Sequence, residues 1–415
     1  MSKLEELIQQ YCPDGVEYMK LGGFATQWYR GAGIKKDEIG QEGIPCIRYG
    51  EIHTIYKIWF DKCVSHTDET KQPSKKYADY GDILFAITSE DIPFIGNSVA
   101  YMGKERIMVG GDIVVMKHTQ NPKYISYVLS TVDAVSQKGK GKVKSKVVHT
   151  NVPSLKEIVI PVPPLPVQEE IVRILDTFTE LQAELQAELQ KRKQQYNYYL
   201  DNLLSFNDIS RGGQAEVRWM ILREACEFVK DGTHGSYKNV DNGYPLLSAK
   251  DINNGVLTIP TNSRKISKID FDDIYKNYKI KSGDVLITIV GSVGRTAIVR
   301  DFIDVAFQRS VGILRPNNKV TSSFLFYILQ TTQQQKQLMS KISKSAQGGV
   351  YLGELNKIVI PIPPLEEQQR IVSILDRFDR ITNDLTAGLP AEIEKRRQQY
   401  EYYRDKLLTF KRKGA

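Results

Sequence analysis

The stretch Leu155-Lys-Glu-Ile-Val-Ile-Pro-Val-Pro-Pro-Leu-Pro-Val-Gln-Glu-Glu-Ile-Val-Arg-Ile-Leu-Asp-Thr-Phe178 recurs 200 residues later as Leu355-Asn-Lys-Ile-Val-Ile-Pro-Ile-Pro-Pro-Leu-Glu-Glu-Gln-Gln-Arg-Ile-Val-Ser-Ile-Leu-Asp-Arg-Phe378, with 15 identical residues in 24. A second pair follows: Lys191-Arg-Lys-Gln-Gln-Tyr-Asn-Tyr-Tyr-Leu-Asp-Asn-Leu-Leu-Ser-Phe206 and Lys395-Arg-Arg-Gln-Gln-Tyr-Glu-Tyr-Tyr-Arg-Asp-Lys-Leu-Leu-Thr-Phe410 share 11 residues in 16. This self-similarity indicates that the chain contains the same structural plan twice.

The segments between these blocks are less alike but keep their order. Gly43-Ile-Pro-Cys-Ile-Arg-Tyr-Gly-Glu-Ile52 stands where the second copy has Gly243-Tyr-Pro-Leu-Leu-Ser-Ala-Lys-Asp-Ile252. Gly81-Asp-Ile-Leu-Phe-Ala-Ile-Thr88 likewise answers Gly283-Asp-Val-Leu-Ile-Thr-Ile-Val290, and both are typical of a turn that leads into a buried strand. The order of parts is therefore variable domain, helix, variable domain, helix.

A long helix is predicted after Pro163-Pro164, a pair that cannot continue a strand ladder. Apolar residues then recur at spacings of three and four, as along one stripe of a helix; they are Ile171, Ile174, Leu175, Phe178, Leu181, Leu185, Leu189, Tyr196, Leu200 and Leu203. From 168 to 206 this helix would be about 58 Å long, too long for one small domain. We therefore expect it to pack against its repeat, residues 368 to 410, as an antiparallel coiled coil. Gly388 and Pro390 are expected to kink or loop the second copy.

The fold class that follows is α+β, with two mixed α/β domains, each dominated by a curved sheet, and two long helices. Short helical stretches such as Tyr124 to Ser130 and Phe324 to Gln330 lie inside the variable domains. The expected boundaries are residues 1–163 for the first domain with a short N-terminal helix, 164–206 for the first long helix, 207–363 for the second domain, and 364–415 for the second long helix.

The composition narrows the class of protein without deciding its function. The 415 residues carry a net charge of +8 with 26% charged residues, which suits a polyanionic partner but equally an ordinary basic protein. The four cysteines are scattered at Cys12, Cys46, Cys63 and Cys226, so neither a disulfide framework nor a zinc site is indicated. No uncharged apolar run approaches about 18 residues, so we expect a soluble, cytoplasmic protein with no membrane segment.

Both helical blocks resemble the conserved helical regions of type I restriction-modification specificity subunits. The resemblance lies in Pro-Pro-Leu followed by a Gln and Ile-Val-x-Ile-Leu-Asp-x-Phe, at 163 to 178 and at 363 to 378, and in Gln194-Gln195-Tyr196 and Gln398-Gln399-Tyr400. The variable segments resemble the family's target recognition domains, through the motif at 43–52, Asp231-Gly-Thr-His234 and Gly291-Ser-Val-Gly-Arg-Thr296. The first domain has Ser89-Glu-Asp-Ile-Pro-Phe-Ile-Gly96 in place of the last motif, which argues against a shared contact at that loop.

This resemblance implies a non-catalytic, DNA-binding specificity subunit. Each target recognition domain would read one half of a bipartite, asymmetric site on double-stranded DNA, and the helices would set the spacing. Two DNA-adenine methyltransferase subunits would dock on the chain, joined by motor-nuclease subunits for restriction. S-adenosylmethionine, ATP and Mg2+ would belong to these partners. In agreement, the chain contains no GxxxxGK[ST] phosphate loop and no Asn-Pro-Pro-aromatic motif of amino-methylating enzymes.

A lysine-rich run is the first candidate for DNA contact. It contains Lys138, Lys140, Lys142, Lys144 and Lys146, separated in part by glycines that let the backbone follow a phosphate strand. Lysines on phosphates release counterions and so contribute affinity, although a charge run can also be only a solvated loop. Lys344 holds the equivalent place in the second copy.

The candidates for base contact are loop and strand-end donors, because arginine and lysine pair with guanine edges and Thr, Ser or His can supplement them. They are Arg30, Lys35, Lys36, Arg48 and Tyr49 in the first domain and Lys230, Thr233, His234, Lys250, Ser292, Arg295 and Arg309 in the second. Any one of these residues alone is typical of an ordinary surface charge or turn. We therefore predict base contact for the group and not for a particular member. No second His or Cys stands at ligand spacing from His234, so a metal site is not expected.

Three alternatives stay open at this point. The repeated tyrosines Tyr196, Tyr198, Tyr199, Tyr400, Tyr402 and Tyr403 could stack on bases, but their presence on both helices favours the inter-helix seam or methyltransferase docking. A coiled-coil adaptor between two protein-binding heads is disfavoured by the lysine run and the basic surplus. A self-contained nuclease or methyltransferase is disfavoured by the missing motifs.

Overall fold

The computed structural model describes residues 2–140, 146–206, 217–253, 255–301, 303–343, 348–384 and 387–414. The chain forms two compact units. The first comprises Met1–Glu184 together with Glu394–Ala415, and the second comprises Leu185–Ile393. Each variable segment therefore shares its unit with portions of both repeated helical regions.

The first unit is built on short strands and several helices. Its strands are β1 (Tyr18–Lys20), β2 (Ala25–Arg30), β3 (Ile39–Gly40), β4 (Ile44–Ile47), β5 (Trp59–Phe60), β6 (Ser65–Thr67), β7 (Tyr77–Ala78), β8 (Ile83–Ala86), β9 (Thr88–Ser89), β10 (Ser98–Tyr101), β11 (Ile107–Val109), β12 (Ile113–His118), β13 (Val148–His149) and β14 (Val159–Pro161). Its helices are α1 (Lys3–Tyr11), α2 (Leu21–Phe24), α3 (Tyr49–Thr54), α4 (Pro122–Leu129), α5 (Val132–Gly139), α6 (Val152–Lys156) and the first half of α7 (Leu165–Leu204).

The second unit repeats most of this plan. Its strands are β15 (Arg218–Ile221), β16 (Cys226–Asp231), β17 (Tyr244–Leu247), β18 (Ile252–Asn253), β19 (Val256–Leu257), β20 (Lys265–Ile266), β21 (Val285–Thr288), β22 (Thr296–Ile298), β23 (Ala306–Phe307), β24 (Val311–Pro316) and β25 (Val359–Ile362). Its helices are α8 (Leu222–Ala225), α9 (Lys268–Asn277), α10 (Ser322–Ile328), α11 (Thr332–Ser340), α12 (Leu352–Leu355) and α13 (Leu365–Asn383). The helix α14 (Leu389–Leu407) belongs largely to the first unit. The predicted α+β class is confirmed.

A central sheet buried on both faces organises each unit. In the first, the strand order is β2-β12-β8-β10-β5. Phe85 on β8 belongs to a cluster with α4 and the start of α7, whereas Leu84 belongs to a cluster with residues of a second sheet, whose strand order is β3-β6-β4-β11-β7. In the second, the order is β16-β24-β21-β22, and Ile287 and Leu286 divide in the same way between two clusters. Successive residues of a strand point to opposite faces, so these apolar runs hold three layers together.

The sequence-predicted turns into the buried strands are confirmed. Gly81 and Gly283 each have φ of +89°, a conformation that favours glycine. The N–H of Gly81 donates to the carbonyl of Tyr101 at 2.8 Å, and that of Gly283 to Val299 at 2.7 Å. The turns therefore set the register in which β8 and β21 enter their sheets.

A buried glutamine fastens each repeated helix to its variable domain. The Nε2 of Gln168 donates to the Pro163 carbonyl at 2.7 Å, and its Oε1 accepts from the N–H of Asn121 at 3.0 Å. Gln368 makes the same bonds to Pro363 and to Thr321, both at 2.9 Å. Both glutamines are fully buried. The repeated Gln after the proline pair thus satisfies backbone groups that burial would otherwise leave unpaired.

The beginning of one repeated helix meets the end of the other in each unit. Phe178 stacks on Tyr403 in the first unit, with ring centroids 5.6 Å apart, and Phe378 stacks on Tyr199 in the second, at 4.9 Å. The predicted contact between the two repeated helical regions is therefore present in each unit. Tyr196 and Tyr400 are also held within the units, whereas Tyr198 and Tyr402 are 65% and 62% exposed.

The second repeated helical region, expected over residues 364–415, contains the break that Gly388 and Pro390 predict. The helix α13 ends at Asn383, and α14 begins at Leu389. Gly388 lies so close to the carbonyls of Arg380, Ile381 and Asp384 that a side chain would not fit. Pro390 lacks the N–H of a helix interior but suits the first turn of a new helix.

The last described residues return to the beginning of the first unit. The N–H of Val16 donates to the carbonyl of Lys411 at 2.8 Å, and the N–H of Lys413 donates to the carbonyl of Val16 at 3.0 Å. The Tyr18 hydroxyl adds a bond to the carbonyl of Phe410 at 3.0 Å. The tail after α14 is therefore an integral part of this unit. In the described parts of the chain, no helix is both long and apolar enough to cross a membrane.

Candidate nucleic-acid interface

One end of the central sheet in the first unit gathers the ends of four strands. Arg30 at the end of β2 pairs with Val114, Ile113 pairs with Ala86 at the end of β8, and Ser98 at the start of β10 pairs with Phe85. Arg30, Thr88, Asn97 and Asp112 lie at or just beyond these strand ends, and Arg48, which follows β4 of the second sheet, lies beside them at Gly110. We call these residues and their immediate neighbours the loop edge of the first unit.

The second unit has an equivalent loop edge. Asp231 at the end of β16 pairs with Gly312, and Val311 pairs with Thr288 at the end of β21. The loops here carry Asp231, Ser248, Val290, Arg295 and Ser310, which we call the loop edge of the second unit. Half of the residues proposed from the sequence for DNA contact lie on these two edges; they are Arg30, Arg48, Tyr49, Thr233, His234, Lys250, Ser292, Arg295 and Arg309.

A pocket of about 460 Å³ opens on the loop edge of the first unit. Its lining comprises Arg30, Gly31, Gly33, Ile34, Arg48, Tyr49, Gly110, Gly111 and Asp112. The guanidinium of Arg30 is held by the Asp112 carboxylate, with Nη2 to Oδ1 at 2.7 Å, and by the Gly111 carbonyl. The structure therefore brings together Arg30, Arg48 and Tyr49, which lie up to 19 residues apart in the sequence.

The same backbone hydrogen bonds build both edges. Gly31 donates to Ile113 at 2.8 Å, and Gly232 donates to Val311 at 3.0 Å. Both glycines are required, because a side chain at either would collide with the carbonyls of the neighbouring segment. Further equivalent pairs are Ala32 N to Val109 O and Thr233 N to Phe307 O, and Gly110 N to Ile47 O and Gln308 N to Leu247 O.

These bonds align the two edges residue by residue. The aligned positions are Arg30 and Asp231, Gly33 and His234, Arg48 and Ser248, Gly50 and Lys250, and Gly111 and Arg309. One backbone framework therefore presents two different sets of side chains.

The second edge is organised by hydrogen bonds among its own polar residues. His234 Nε2 lies 2.7 Å from the carboxylate of Asp231, and the Thr233 hydroxyl lies 2.5 Å from the hydroxyl of Tyr237. The backbone N–H of Arg309 donates to the Thr233 carbonyl at 3.0 Å, which leaves its exposed side chain beside this cluster. Lys250, Ser292 and Arg295 are exposed on neighbouring turns.

The structure describes the two ends of the lysine run. Lys140 and Lys146 are exposed, while Lys142 and Lys144, like Lys344, lie outside the described residues. Lys146 leads into β13, whose His149 pairs with Thr88. This end of the run therefore reaches the loop edge of the first unit.

The burial of Lys138 contradicts the prediction that this residue contacts a phosphate. Because α5 continues to Gly139, Lys138 falls on the buried face of that helix and is only 6% exposed. Its ammonium donates to the carbonyl of Leu129 at 2.8 Å, and burial lowers its pKa to about 7. The corresponding residue of the second unit is the buried Leu338. Lys138 therefore occupies a core position and does not reach a phosphate.

Three other predicted lysines lie near the edges without joining the pocket. Lys35 pairs with Glu38 at 3.9 Å, and the exposed Lys36 begins the 3-10 turn Lys36–Glu38. The ammonium of Lys230 donates to the carbonyl of Asn277 at the end of α9. That bond ties Lys230 to the scaffold of the second unit.

Comparison with known proteins agrees with this duplicated plan. Residues 13–192 and 220–395 each match the family model described as the type I restriction modification DNA specificity domain. The chain belongs to this family. It is 34% identical over 299 residues to the Escherichia coli type I restriction enzyme EcoR124I/EcoR124II specificity subunit, covering 69% of this chain and 70% of that one. It is 33% identical over 323 residues to a putative Haemophilus influenzae specificity subunit, covering 72% and 74%.

Solved structures share the fold of this type I specificity chain. A chain from a study of complex assembly and conformational transition in a type I restriction-modification system matches with a TM-score of 0.60 and 20% identity, covering 95% of this chain and 97% of that one. The specificity subunit of M. genitalium matches with a TM-score of 0.51 and 14% identity, covering 95% and 96%.

Sequence reasoning missed several polar residues on the loop edge of this specificity chain. His149 lies beside Thr88, with Nδ1 3.2 Å from the threonine hydroxyl, and His53 contacts both Thr88 and Asn97. The members of these pairs stand 35 to 61 residues apart in the sequence. These contacts arise only when distant segments fold together, so no local sequence pattern predicts them. The one local signal is Gly96, which precedes Asn97 with φ of +68°, as Gly294 precedes Arg295 with φ of +94°.

Proposed function

We propose that this specificity chain reads a bipartite, asymmetric site on double-stranded DNA, with one half-site for each loop edge. The alignment of the two edges carries this proposal. Arg30 and Arg48 in the first unit are replaced by Asp231 and Ser248 in the second, so two equivalent frameworks offer different donors and acceptors. Base sequence is read by such groups in the DNA grooves.

Base and phosphate contacts are assigned to different residues. Arg48, Tyr49, His234, Lys250 and Arg309 are the candidates for base edges, because they surround the pocket and the polar cluster at the two loop edges. Lys36, Lys140 and Lys146 are exposed on adjoining segments and suit phosphate contact, which contributes affinity without sequence preference. Lys142, Lys144 and Lys344 remain sequence-based candidates for the same role.

The partners follow from the same proposal. Two copies of a DNA-adenine methyltransferase require the same surface twice, and each unit exposes a leucine at the start of a repeated helix and a tyrosine near the end of one. These residues are Leu165 and Tyr402 in the first unit and Leu365 and Tyr198 in the second. Motor-nuclease subunits complete the restriction complex in the cytoplasm. S-adenosylmethionine, ATP and Mg2+ belong to these partners.

A domain exchange tests the central claim. Residues 213 to 363 are replaced by the matching segment of a relative, and methylated adenines are mapped in a host that supplies the partner subunits. We expect one half-site to change and the other to stay the same, because each loop edge is built within one variable segment. The matched control replaces residues 13 to 163 and should change only the opposite half-site. If both half-sites change in either exchange, independent reading by the two edges is wrong.

A further inference from the structure

The two loop edges contain equivalent turns that end in different polar side chains. The carbonyl of Asn97 accepts from the N–H of Ala86 at 2.8 Å, and the carbonyl of Arg295 accepts from the N–H of Thr288 at 2.8 Å. Each residue follows a glycine with positive φ and immediately precedes the strand that pairs with β8 or β21, which is β10 for Asn97 and β22 for Arg295. The different sequences of the two loops therefore deliver Asn97 and Arg295 to the same place.

Each of these side chains is held by a residue at another equivalent position. An Nη1–H of Arg295 donates to Oδ1 of Asn253, and Asn97 Nδ2 lies 3.4 Å from Nδ1 of His53. His53 and Asn253 each stand two residues after an acidic residue, Glu51 or Asp251, that accepts a backbone N–H at 2.8 Å. The first unit therefore pairs His53 with Asn97, and the second unit pairs Asn253 with Arg295 at the equivalent positions.

The supporting side chains are themselves anchored to the backbone. His53 Nε2 lies 2.9 Å from the carbonyl of Thr88, so Nε2 carries the proton and Nδ1 accepts from Asn97. Asn253 donates through Nδ2 to the carbonyl of Lys250 at 3.0 Å, which leaves Oδ1 to accept from Arg295. Each supporting residue therefore fixes the side chain above it in one orientation.

This anchoring leaves the groups that read bases available. Among the described residues, the carboxamide oxygen of Asn97 accepts no hydrogen bond, and the guanidinium of Arg295 uses one N–H. A carboxamide matches N6 and N7 of adenine, and a guanidinium fork matches O6 and N7 of guanine.

We infer that Arg295 reads a guanine in the half-site of the second unit and that Asn97 reads an adenine in the half-site of the first. His53 and Asn253 are positioning residues that orient these two side chains. This inference rests on the proposed function and deepens it, because it assigns one base preference to one residue on each edge.

The first test separates a base contact from a charge contact. The assembled complex, with its partner subunits, is measured in equilibrium binding to duplexes that carry each of the four bases at every half-site position. Arg295→Lys keeps the charge but loses the fork, so we expect guanine discrimination at one position of one half-site to fall by about 5- to 150-fold. The matched control is Arg300→Lys, just beyond the opposite end of the same strand, which should leave discrimination unchanged.

Reciprocal substitutions test the two base assignments. Arg295→Asn should shift that position towards adenine, and Asn97→Arg should shift one position of the other half-site towards guanine. His53→Asn introduces the supporting residue of the second unit and should retain more discrimination than His53→Ala. Arg295 is exposed and Asn97 is half-buried, so neither substitution disturbs the core. Unchanged recognition of the other half-site shows that each variant is folded.

Two results would overturn the inference while leaving the proposed function intact. In the first, Arg295→Lys and Arg295→Asn weaken binding equally for all duplexes, as expected for a phosphate contact. In the second, discrimination is unchanged at every position. Failure of the proposed function is distinguishable, because the domain exchange would then alter both half-sites together.

Discussion

The hydroxyl of Tyr327 donates a hydrogen bond to the Asp376 carboxylate at 2.7 Å, joining α10 to α13 across 49 residues of sequence. The first unit repeats this bond between Tyr127 and Asp176, also at 2.7 Å. Burial raises the pKa of Tyr327, so the hydroxyl remains a donor at neutral pH. Each variable domain is therefore fixed to its helix by a buried tyrosine as well as by a glutamine.

Replacing Tyr327 with phenylalanine should lower the free energy of unfolding. A hydrogen bond to a charged group contributes about 1.5–3 kcal/mol, and its loss leaves the carboxylate of Asp376 with fewer partners. Tyr127→Phe should cost less, because Asp176 keeps an ion pair with Lys123 at 2.6 Å. Denaturant titration of the two variants measures the difference, with the exposed Tyr351→Phe as the control. Equal losses in all three variants would contradict this account.

Replacing Lys138 with methionine should stabilise the protein. The pKa of Lys138 is about 7 in the folded state and 10.5 in a solvated chain, so the unfolded state alone binds this proton between those values. The stability of the wild type should therefore rise with pH across that window and stay level below it. The gain from Lys138→Met should be largest at pH 7 and below, and shrink towards pH 10.5. Thermal unfolding across this range checks it, with the exposed Lys104→Met as the control.

Replacing both Lys140 and Lys146 with alanine should reduce the salt dependence of DNA binding. Each phosphate contact contributes about 0.9 to the slope of log K against log salt concentration, so the pair should lower it by about 2. Lys138→Met should leave the slope unchanged, because that ammonium is already bonded inside the protein. A binding series at several salt concentrations distinguishes the two. An equal loss of slope in both proteins would show that the whole run contacts phosphate.

The length of α7 should control the gap between the half-sites. The two copies of the repeat differ by four residues, since the offset is 200 at Phe178 and 204 at Lys191. The first copy has Leu181-Gln-Ala-Glu and Leu185-Gln-Ala-Glu before Leu189, within one uninterrupted helix. Four residues add about 6 Å with only about 40° of rotation, so the apolar stripe survives. Inserting a third Leu-Gln-Ala-Glu should lengthen the gap by about one or two base pairs, at about 3.4 Å each.

Methylome sequencing of the insertion variant reads the gap and both half-sites together. The half-sites should be unchanged, because neither loop edge is altered. A substitution of the same segment by an equal number of residues is the length control. An active complex with an unchanged gap would show that the run is helical filler and affects stability alone.

Local patterns in the sequence were sufficient for the scaffold. Gly81 and Gly283 mark turns that depend on a few neighbouring residues, and the repeated Gln168 and Gln368 mark helix starts. The prediction that Lys138 contacts a phosphate failed because a run of lysines suggests a solvated loop. The helix α5 continues through Lys138, however, and the end of that helix decides which lysine faces the core. The number of charges in a segment does not indicate which side of a helix faces the core.

The loop edges could be predicted only in part. Arg30, Arg48 and Arg309 are recognisable as strand-end donors, but their neighbours depend on strand pairing. The contact of Asn97 with His53 spans 44 residues, and the unlike loops before Asn97 and Arg295 conceal their equivalence. The alignment becomes visible through backbone hydrogen bonds, because these are the same in both units while the side chains differ.

The division of the chain between the two units determines the order in which they can finish folding during synthesis. The second unit is continuous from Leu185 to Ile393, whereas the first needs residues from Glu394 onward, including the tail beside Val16. These residues leave the ribosome only after the whole second unit has been made. The nascent first unit must therefore remain without α14 and the tail during that interval, so Leu408 is missing from the core cluster that also contains Leu175. The part of the protein that is translated first is consequently the part that finishes folding last.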